Sequence, residues 1–456
     1  MLSARSLRIC LTQAIASFNR LLVRMPSAAT RQVAFARTCM GERPMMTTRN
    51  RLLWLCSNAF LALSATSVAH AGAFALRQQS AYGQGSSFAG IAAGGSLSSM
   101  FWNPANLSNV RGGEIEMVGT AIIAYADVKL DPQPLLGVPG SDQGDIARDA
   151  FVPSGYAAYR LSDRVALGVA INAPFGLSTK YDGDSILNRT GVAGTSEVLS
   201  LNVNPALSVE ATDWLALALG VQVQYFDVRL TRQALGPLGI STLKGDDVGF
   251  GFTAGITVTP LPGTEIGLGY RSFIDHELDG TLKTANAGDF DVTYDGVNLP
   301  DIVTLGVRQR ITDRVRVMAG AEWSNWSRFD TVEVEGGPAP IDLAFDYDDG
   351  WFFSVGGEFD VTQRATVRAG MGYELSPIDD DVRSYRIPYN DGLQLSAGAS
   401  YRYDERLSLD LAYGFVAVED MDIRAGGAGG PDANGPFSGR ADERAHYISA
   451  AIKVKL

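Results

Sequence analysis

Few residues of this chain could carry covalent chemistry. There are 3 His and 3 Cys among 456 residues. His276 and His446 lie in the body of the chain, neither in a recognisable serine-nucleophile motif, and no H-E-x-x-H pair occurs. Gly249-Phe250-Gly251-Phe252-Thr253-Ala254 has the outline of a dinucleotide-binding loop. No strand-to-helix change surrounds it, so alternating glycines on one face of a strand is the better reading. Asp346-Tyr347-Asp348-Asp349 and Asp379-Asp380-Asp381 could hold a cation, but runs of like charge read first as solvated loop. Asn-Pro-Ala occurs twice, at Asn103-Pro104-Ala105 and at Asn204-Pro205-Ala206. A water channel built on such triplets needs apolar helices, and after residue 72 no uninterrupted apolar stretch of about 20 residues exists. Asn103 is instead expected to bond backbone and Pro104 to stiffen a turn. No catalytic residue, metal or cofactor is expected.

The residues with binding chemistry are apolar. Phe226, Val228, Phe273, Met318 and Trp326 share one strand phase near one end of their segments, and so do Arg271 and Arg328. On the inside of a barrel the first five would suit a greasy ligand or the surface of a plug. The two arginines would neutralise a carboxylate or pair with inward acids such as Glu322. Leu235, Leu238, Ile240 and Leu243 make one connection unusually apolar. They are expected to form an outer capture patch or to fold against the next loop.

These roles presuppose strands that position them. Leu215-Ala216-Leu217-Ala218-Leu219-Gly220-Val221-Gln222-Val223-Gln224-Tyr225 alternates large apolar with small or polar residues, as do 165–171 and 407–415. Successive strand side chains point to opposite faces. A soluble sandwich would bury the apolar face and a transmembrane barrel would turn it to lipid, and period alone does not separate the two. Connection lengths do. Short turns fall at 161–164, 211–214, 260–263, 311–314, 361–364 and 403–406. Long polar connections fall near 130–149, 176–195, 231–245, 277–300, 331–347, 377–390 and 420–441. Short turns on one side and long loops on the other are the outer-membrane pattern. Thirteen connections make fourteen strands, with both strand termini on the periplasmic side.

The first 71 residues read as leader. Residues 1–44 are Arg-rich and read as an upstream extension from a misassigned start. Residues 45–71 have a basic start, an apolar run from about Leu52 to Val68, and Ala69-His70-Ala71 before Gly72, the three parts of a secretory signal peptide. Cys10, Cys39 and Cys56 all lie in this leader, which leaves no disulfide framework or thiolate site beyond it. Removing its nine Arg and one Glu from 38 Lys+Arg and 50 Asp+Glu leaves 29 against 49, a net charge of −20. That acidity argues against nucleic acid as a partner.

Lipid offers backbone groups no partners, so the last strand, Tyr447 to Leu456, should close on the first, about Glu114 to Lys129. Ile448, Ala450, Ile452, Val454 and Leu456 would face lipid. Residues 72–113 lack alternation and are rich in small residues, which suits a plug, since an open barrel of this size would leave an aqueous hole. Pro153 and Pro174 fall on neighbouring strands joined at the Ser162-Asp163 turn. Proline lacks the donor a ladder needs, so a weakened wall is expected there; the competing reading is that both mark strand ends at the rim.

The small-residue pairs Gly83-Gln84-Gly85 and Ala89-Gly90, the Asn103-Pro104-Ala105 triplet before the first strand, Asn172-Ala173-Pro174-Phe175-Gly176-Leu177 and Asn204-Pro205-Ala206-Leu207 resemble the FadL/TodX family of outer-membrane transporters. The resemblance covers the layout of the whole chain after the leader. It implies an all-β fold: a fourteen-stranded antiparallel transmembrane β-barrel (114–456) with an N-terminal hatch (72–113) inside the lumen. It also implies passive transport of hydrophobic small molecules, long-chain fatty acids or else aromatic or aliphatic hydrocarbons, with lateral release at a kink formed by Pro174, Phe175 and Gly176 beside Pro153. Phe74 would reach the lumen pocket. Expected partners are the hydrophobic ligand, outer-membrane lipid and lipopolysaccharide, and the barrel-assembly machinery, for a monomer in the outer membrane of a Gram-negative bacterium. A general porin is the alternative for the same fold.

Overall fold

The computed structural model describes residues 73–134, 139–233, 240–338, 340–424 and 437–456. The extension, the signal peptide, Leu235 and Leu238 lie outside the described residues.

Alternation at period two gives fourteen wall strands. They are β1 (Gly113–Leu130), β2 (Ala150–Ser162), β3 (Val165–Asn172, continued by Gly176–Lys180), β4 (Thr195–Thr212), β5 (Leu215–Gln233), β6 (Ile240–Leu261) and β7 (Thr264–Arg271, continued by Ile274–Thr284). Then follow β8 (Gly288–Leu299, continued by Ile302–Arg310), β9 (Val315–Ser324), β10 (Gly350–Asp360), β11 (Ala365–Leu375), β12 (Gly392–Arg402), β13 (Leu407–Val418) and β14 (Ser438–Lys455). Each pairs antiparallel with its sequence neighbours, and β1 closes on β14 from Glu114↔Lys455 to Leu130↔Gly439. No sheet edge is left to lipid, which is what a strand-built span requires. Side chains follow the phase read from the sequence: Ile448 and Ile452 are about half exposed on the outside, whereas Tyr447, Ser449 and Ala451 are buried inside.

Two expected long loops are strand instead. The β5–β6 ladder continues to Gln233↔Ile240, and the β7–β8 ladder to Thr284↔Gly288. Inward Leu243, Leu282 and Val292 are buried in these extensions, so apolar burial carries the wall past the point where polar composition suggests a loop.

The wall is interrupted on three strands, in β3 at 173–175, in β7 at 272–273 and in β8 at 300–301. The β2–β3 ladder ends at Gly155↔Ile171 and is met again only by the isolated bridge Ala147↔Thr179. The break in β7 also flips its phase. Arg271 is buried, Phe273 is exposed, and Ile274 and His276 are buried again.

Residues 73–112 contain a short helix, α1 (Ala81–Gln84), and 3-10 turns at Ile91–Ala93, Leu97–Phe101 and Pro104–Asn109. The helix α1 packs on β1 and β12 to β14, Ile91–Ala93 on β7 and β8, and Pro104–Asn109 on β3 to β7. A segment touching strands all round the ring lies within it. Two wall glycines allow the approach: a Cβ on Gly269 would sit 1.7 Å from the Trp102 carbonyl oxygen, and one on Gly267 1.9 Å from that of Ala92.

Candidate binding site and wall opening

Above the inner segment, the extended halves of β4 to β8 and the short strands Thr331–Glu335 and Ile341–Ala344 enclose a cavity of about 240 Å³. Leu177, Val198, Phe226, Leu282 and Tyr294 form much of its wall. Phe74 and Phe329 face it from the side of the inner segment and of the β9–β10 connection. Arg232 and Arg386 lie on the same lining, each within electrostatic reach of the other. Arg386 donates to the Val192 carbonyl at 2.7 Å. Among the described residues no acid is ion-paired with Arg232.

Phe74 links the cavity to the interruption in β3. Its ring centroid lies 4.8 Å from Trp326, 5.3 Å from Phe329 and 6.0 Å from Phe175. Edge contacts of this kind fix ring orientation beyond what area alone would do. Around Phe74 the chain lies against the broken strand. Ala75 bridges Phe175, Leu76 N–H donates to the Pro174 carbonyl at 2.7 Å, and Gly176 N–H donates to the Phe74 carbonyl at 2.9 Å. Gln79 completes the seam: its Nε2 donates to the Ala173 carbonyl at 2.7 Å, and its Oε1 accepts from Ser154 Oγ at 2.7 Å. The β2–β3 opening is thus filled by residues 74–79, with Pro153 on the β2 side, where it pairs only with Gly119 of β1.

The other expected site residues divide by where their strand positions fall. Phe226 and Val228 line the cavity, and buried Trp326 backs it through Phe74. Arg271 serves the inner segment: it donates to the Phe101 carbonyl at 3.1 Å and to Gln222, with Phe101 beneath its guanidinium. Met318 backs Gly90 and is also a contact of that segment. Phe273 and Arg328 are corrections. The phase flip puts Phe273 outside, and Arg328 leaves the wall on the 3-10 turn Trp326–Arg328, where it pairs with Asp301 at 2.7 Å and covers the Phe273 ring. Leu243 is also corrected: it pairs with Leu230 and Leu282 and is buried in the cavity wall, not displayed on an outer patch. Ile240 begins β6, and nothing is described of its side chain.

Asn103 ties the inner segment to the wall. Its Nδ2 donates to the carbonyls of Ala92 at 2.7 Å and Ile256 at 2.9 Å, while its Oδ1 accepts from Ala105 N–H at 3.0 Å and Pro104 opens the following 3-10 turn. Ion pairs and hydrogen bonds to charged groups hold the segment elsewhere. Arg77 reaches Glu322 at 3.1 Å and Glu374 at 3.3 Å, and Glu116 accepts from Ser98 N–H at 2.8 Å. His276 is buried, accepts from Gln224 at 3.3 Å, and donates to Asp247 at 3.0 Å. Sequence reasoning missed Arg232, Leu282, Tyr294, Phe329 and Arg386 as site residues, all in segments assigned to loops or loop margins. For Arg232 and Leu282 the available signal was the apolar phase of Phe226, Val228 and Leu230 and of Leu278 and Leu282, which runs on into the segments assigned to loops.

A closed fourteen-stranded antiparallel barrel, with residues 73–112 packed against its inward face and an apolar chamber beside them, defines a transmembrane β-barrel. The chain belongs to the family described as outer membrane protein transport protein (OMPP1/FadL/TodX), which it matches over residues 62–455. That family comprises outer-membrane transporters of hydrophobic substrates, and the protein is located in the Gram-negative outer membrane. It is 26% identical over 411 residues to outer membrane protein P1 of Haemophilus influenzae, covering 78% of this chain and 88% of the relative. It is 25% identical over 350 residues to a long-chain fatty acid transport protein of Escherichia coli O6:H1, covering 67% and 78%. In fold it is similar to a Pseudomonas aeruginosa FadL homologue (TM-score 0.76, 20% identity, covering 84% of this chain and 100% of that one). It is also similar to the Pseudomonas putida toluene transporter TodX (TM-score 0.66, 18% identity, covering 85% and 100%).

Proposed function

We propose that the protein carries long-chain fatty acids inward by passive diffusion, through the outer cavity, past Phe74, and sideways out of the wall between β2 and β3. One observation carries this reading. The apolar cavity with Arg232 and Arg386 on its lining is joined through Phe74 to the stretch of wall where β3 meets residues 74–79 of the inner segment in place of β2. Apolar lining suits a chain and paired guanidiniums suit its carboxylate. The hatch role of residues 73–112, the loosening of residues 74–79 on ligand arrival, and monomeric action among lipopolysaccharide after insertion by the assembly machinery are part of the proposal. Uptake of aromatic hydrocarbons is the second reading, favoured by the Phe74–Trp326–Phe329 cluster. The test is a Pro153→Cys/Ala173→Cys pair, placed opposite by extending the β2–β3 register, in a chain whose three Cys all precede residue 72. Oxidation should reduce labelled long-chain fatty acid uptake to the level of cells without the barrel, and reduction should restore it. Uptake indifferent to the cross-link would reject lateral release.

A further inference from the structure

Directly below the cavity the inward face changes character. On β3, β4 and β5 the inward residues run from Leu177, Val198 and Phe226 to Asn172, Asn202 and Gln224. The three carboxamides occupy one row, since Asn172 pairs with Asn202 and Asn202 with Gln224. Directly opposed strand residues hold their Cβ atoms about 5 Å apart. All three are fully or almost fully buried. The ends of the row are anchored: Asn172 Nδ2 donates to Tyr156 Oη at 2.7 Å, and Gln224 Nε2 to His276. The middle is not. Among the described residues, Asn202 Nδ2 and Oδ1, Asn172 Oδ1 and Gln224 Oε1 have no hydrogen-bond partner. A buried polar group left unsatisfied is costly, and three in neighbouring positions require a reason.

We propose that this row is a polar relay subsite that takes the O–H end of a hydrophobic ligand between the cavity and the β2–β3 opening. The reasoning rests on the transport reading above and names its substrate class. The unsatisfied set is three acceptors and one amide donor. A carboxylate has acceptors only and would answer Asn202 Nδ2 while facing three carbonyl oxygens. A hydroxyl or a protonated carboxylic acid brings a donor and an acceptor together, and the neutral form is also the one a low-dielectric interior favours. A plain hydrocarbon answers nothing and leaves the row as costly as before. The position agrees: Asn172 immediately precedes the interruption at 173–175, and Gln79, which seals that seam, also lies within reach of its amide at 3.4 Å. A ligand group engaging Asn172 would therefore compete for the bonds that hold residues 74–79 in the opening.

The test uses labelled 1-dodecanol and dodecane, matched in chain length, in cells lacking other transporters of such compounds. The unmodified protein should take up the alcohol faster than the alkane. Asn202→Leu should abolish that preference by slowing the alcohol about tenfold and leaving the alkane unchanged or faster, as losing a hydrogen bond to a buried partner would. Leu matches Asn closely in shape and removes unsatisfied groups, so the barrel should fold, which its heat-dependent gel migration checks. Gln224→Leu is the independent second variant and should act in the same direction. A preference unchanged in both variants, or equal slowing of both probes, would overturn the relay and leave the transport reading standing. Wild-type uptake of the alcohol no faster than that of cells without the barrel would overturn the relay, and labelled long-chain fatty acid run beside the two probes tests the transport reading separately.

Discussion

Arg232 sits at the outer end of β5, facing a cavity whose other contacts are mostly carbon, with Arg386 as its electrostatic neighbour. Two guanidiniums on one lining repel, and an arriving carboxylate relieves that repulsion while making charge-assisted hydrogen bonds worth about 1.5–3 kcal/mol. Arg232→Leu should therefore weaken fatty acid binding by roughly tenfold and leave the methyl ester of the same acid unaffected, which calorimetry or fluorescence displacement on the purified barrel would measure. Equal weakening of acid and ester would mean the arginine shapes the cavity and does not read charge. In the outer loops a residue-scale effect has the opposite sign. The two carboxylate runs meet at Asp348 and Asp379, and Asp348 N–H donates to the Pro377 carbonyl at 2.9 Å. Partial burial first, and the Asp348 carboxylate second, push the Asp379 carboxyl above its usual range. A carboxyl whose pKa is raised by folding stabilises the folded loop while protonated and loses that contribution as pH rises through the folded value. Hydrogen exchange in 376–391 should accordingly speed up as pH rises above the ordinary carboxylate range, beyond the intrinsic chemical rate. Asp379→Asn should remove that extra dependence; if the variant keeps it, another group is responsible.

At the scale of elements, the seam between residues 74–79 and β3 is what closes the wall. Leu76 N–H is one of its bonds to β3, and proline at that position has no donor to give. Leu76→Pro should free the seam, raise the exchange rate of the Gly176 amide, and increase fatty acid uptake severalfold if seam release limits the rate. Faster amide exchange with unchanged uptake would place the slow step elsewhere. This seam also marks how far the sequence could be read. Pro153 and Pro174 fall just beyond the point where the β2–β3 ladder stops, as expected of residues that lack the donor a ladder needs. Strand number and closure were legible for a similar reason: alternation and lipid exposure are properties of the chain's own order. Phe273 was misplaced because a break of two residues at 272–273 inverts every later side chain on β7, and composition carries no trace of it. Arg271 and Met318 were placed on the correct face, but phase does not say whether a ligand or the inner segment lies opposite. The cavity itself was the least legible part, because its walls are strand extensions whose outward side, with Asp227, Lys244 and Asp279, has the composition of a loop.

For the whole molecule, the question is what the barrel does with the width that fourteen strands impose. Side chains alone do not fill a cylinder of that size, and lumen left open would conduct ions. Here residues 73–112 lie within it, tied to the wall at several points round the ring: Arg77 to Glu322 of β9 and Glu374 of β11, Ser96 and Ser98 to Glu116 of β1, and the Tyr82 hydroxyl to Arg308 of β8 at 3.0 Å. Breaking the buried Arg77 pairs leaves uncompensated charge and costs about 3–5 kcal/mol, and wholesale departure of this segment would add the loss of the buried hydrogen bonds of Glu116, Asn103 and Tyr82. Loosening the backbone of residues 74–76, with the long Arg77 side chain still held by Glu322 and Glu374, breaks only hydrogen bonds of the seam. The energetics thus favour a path that moves the arm and leaves the body of the segment in place. In planar bilayers the intact protein should be electrically almost silent, with or without fatty acid, whereas deletion of residues 73–112 should give open steps of porin size. Fatty acid that evoked such steps in the intact protein would show the whole segment leaving. That result would replace sideways release with passage straight through the lumen, since an open axial path makes the β2–β3 seam irrelevant to flux.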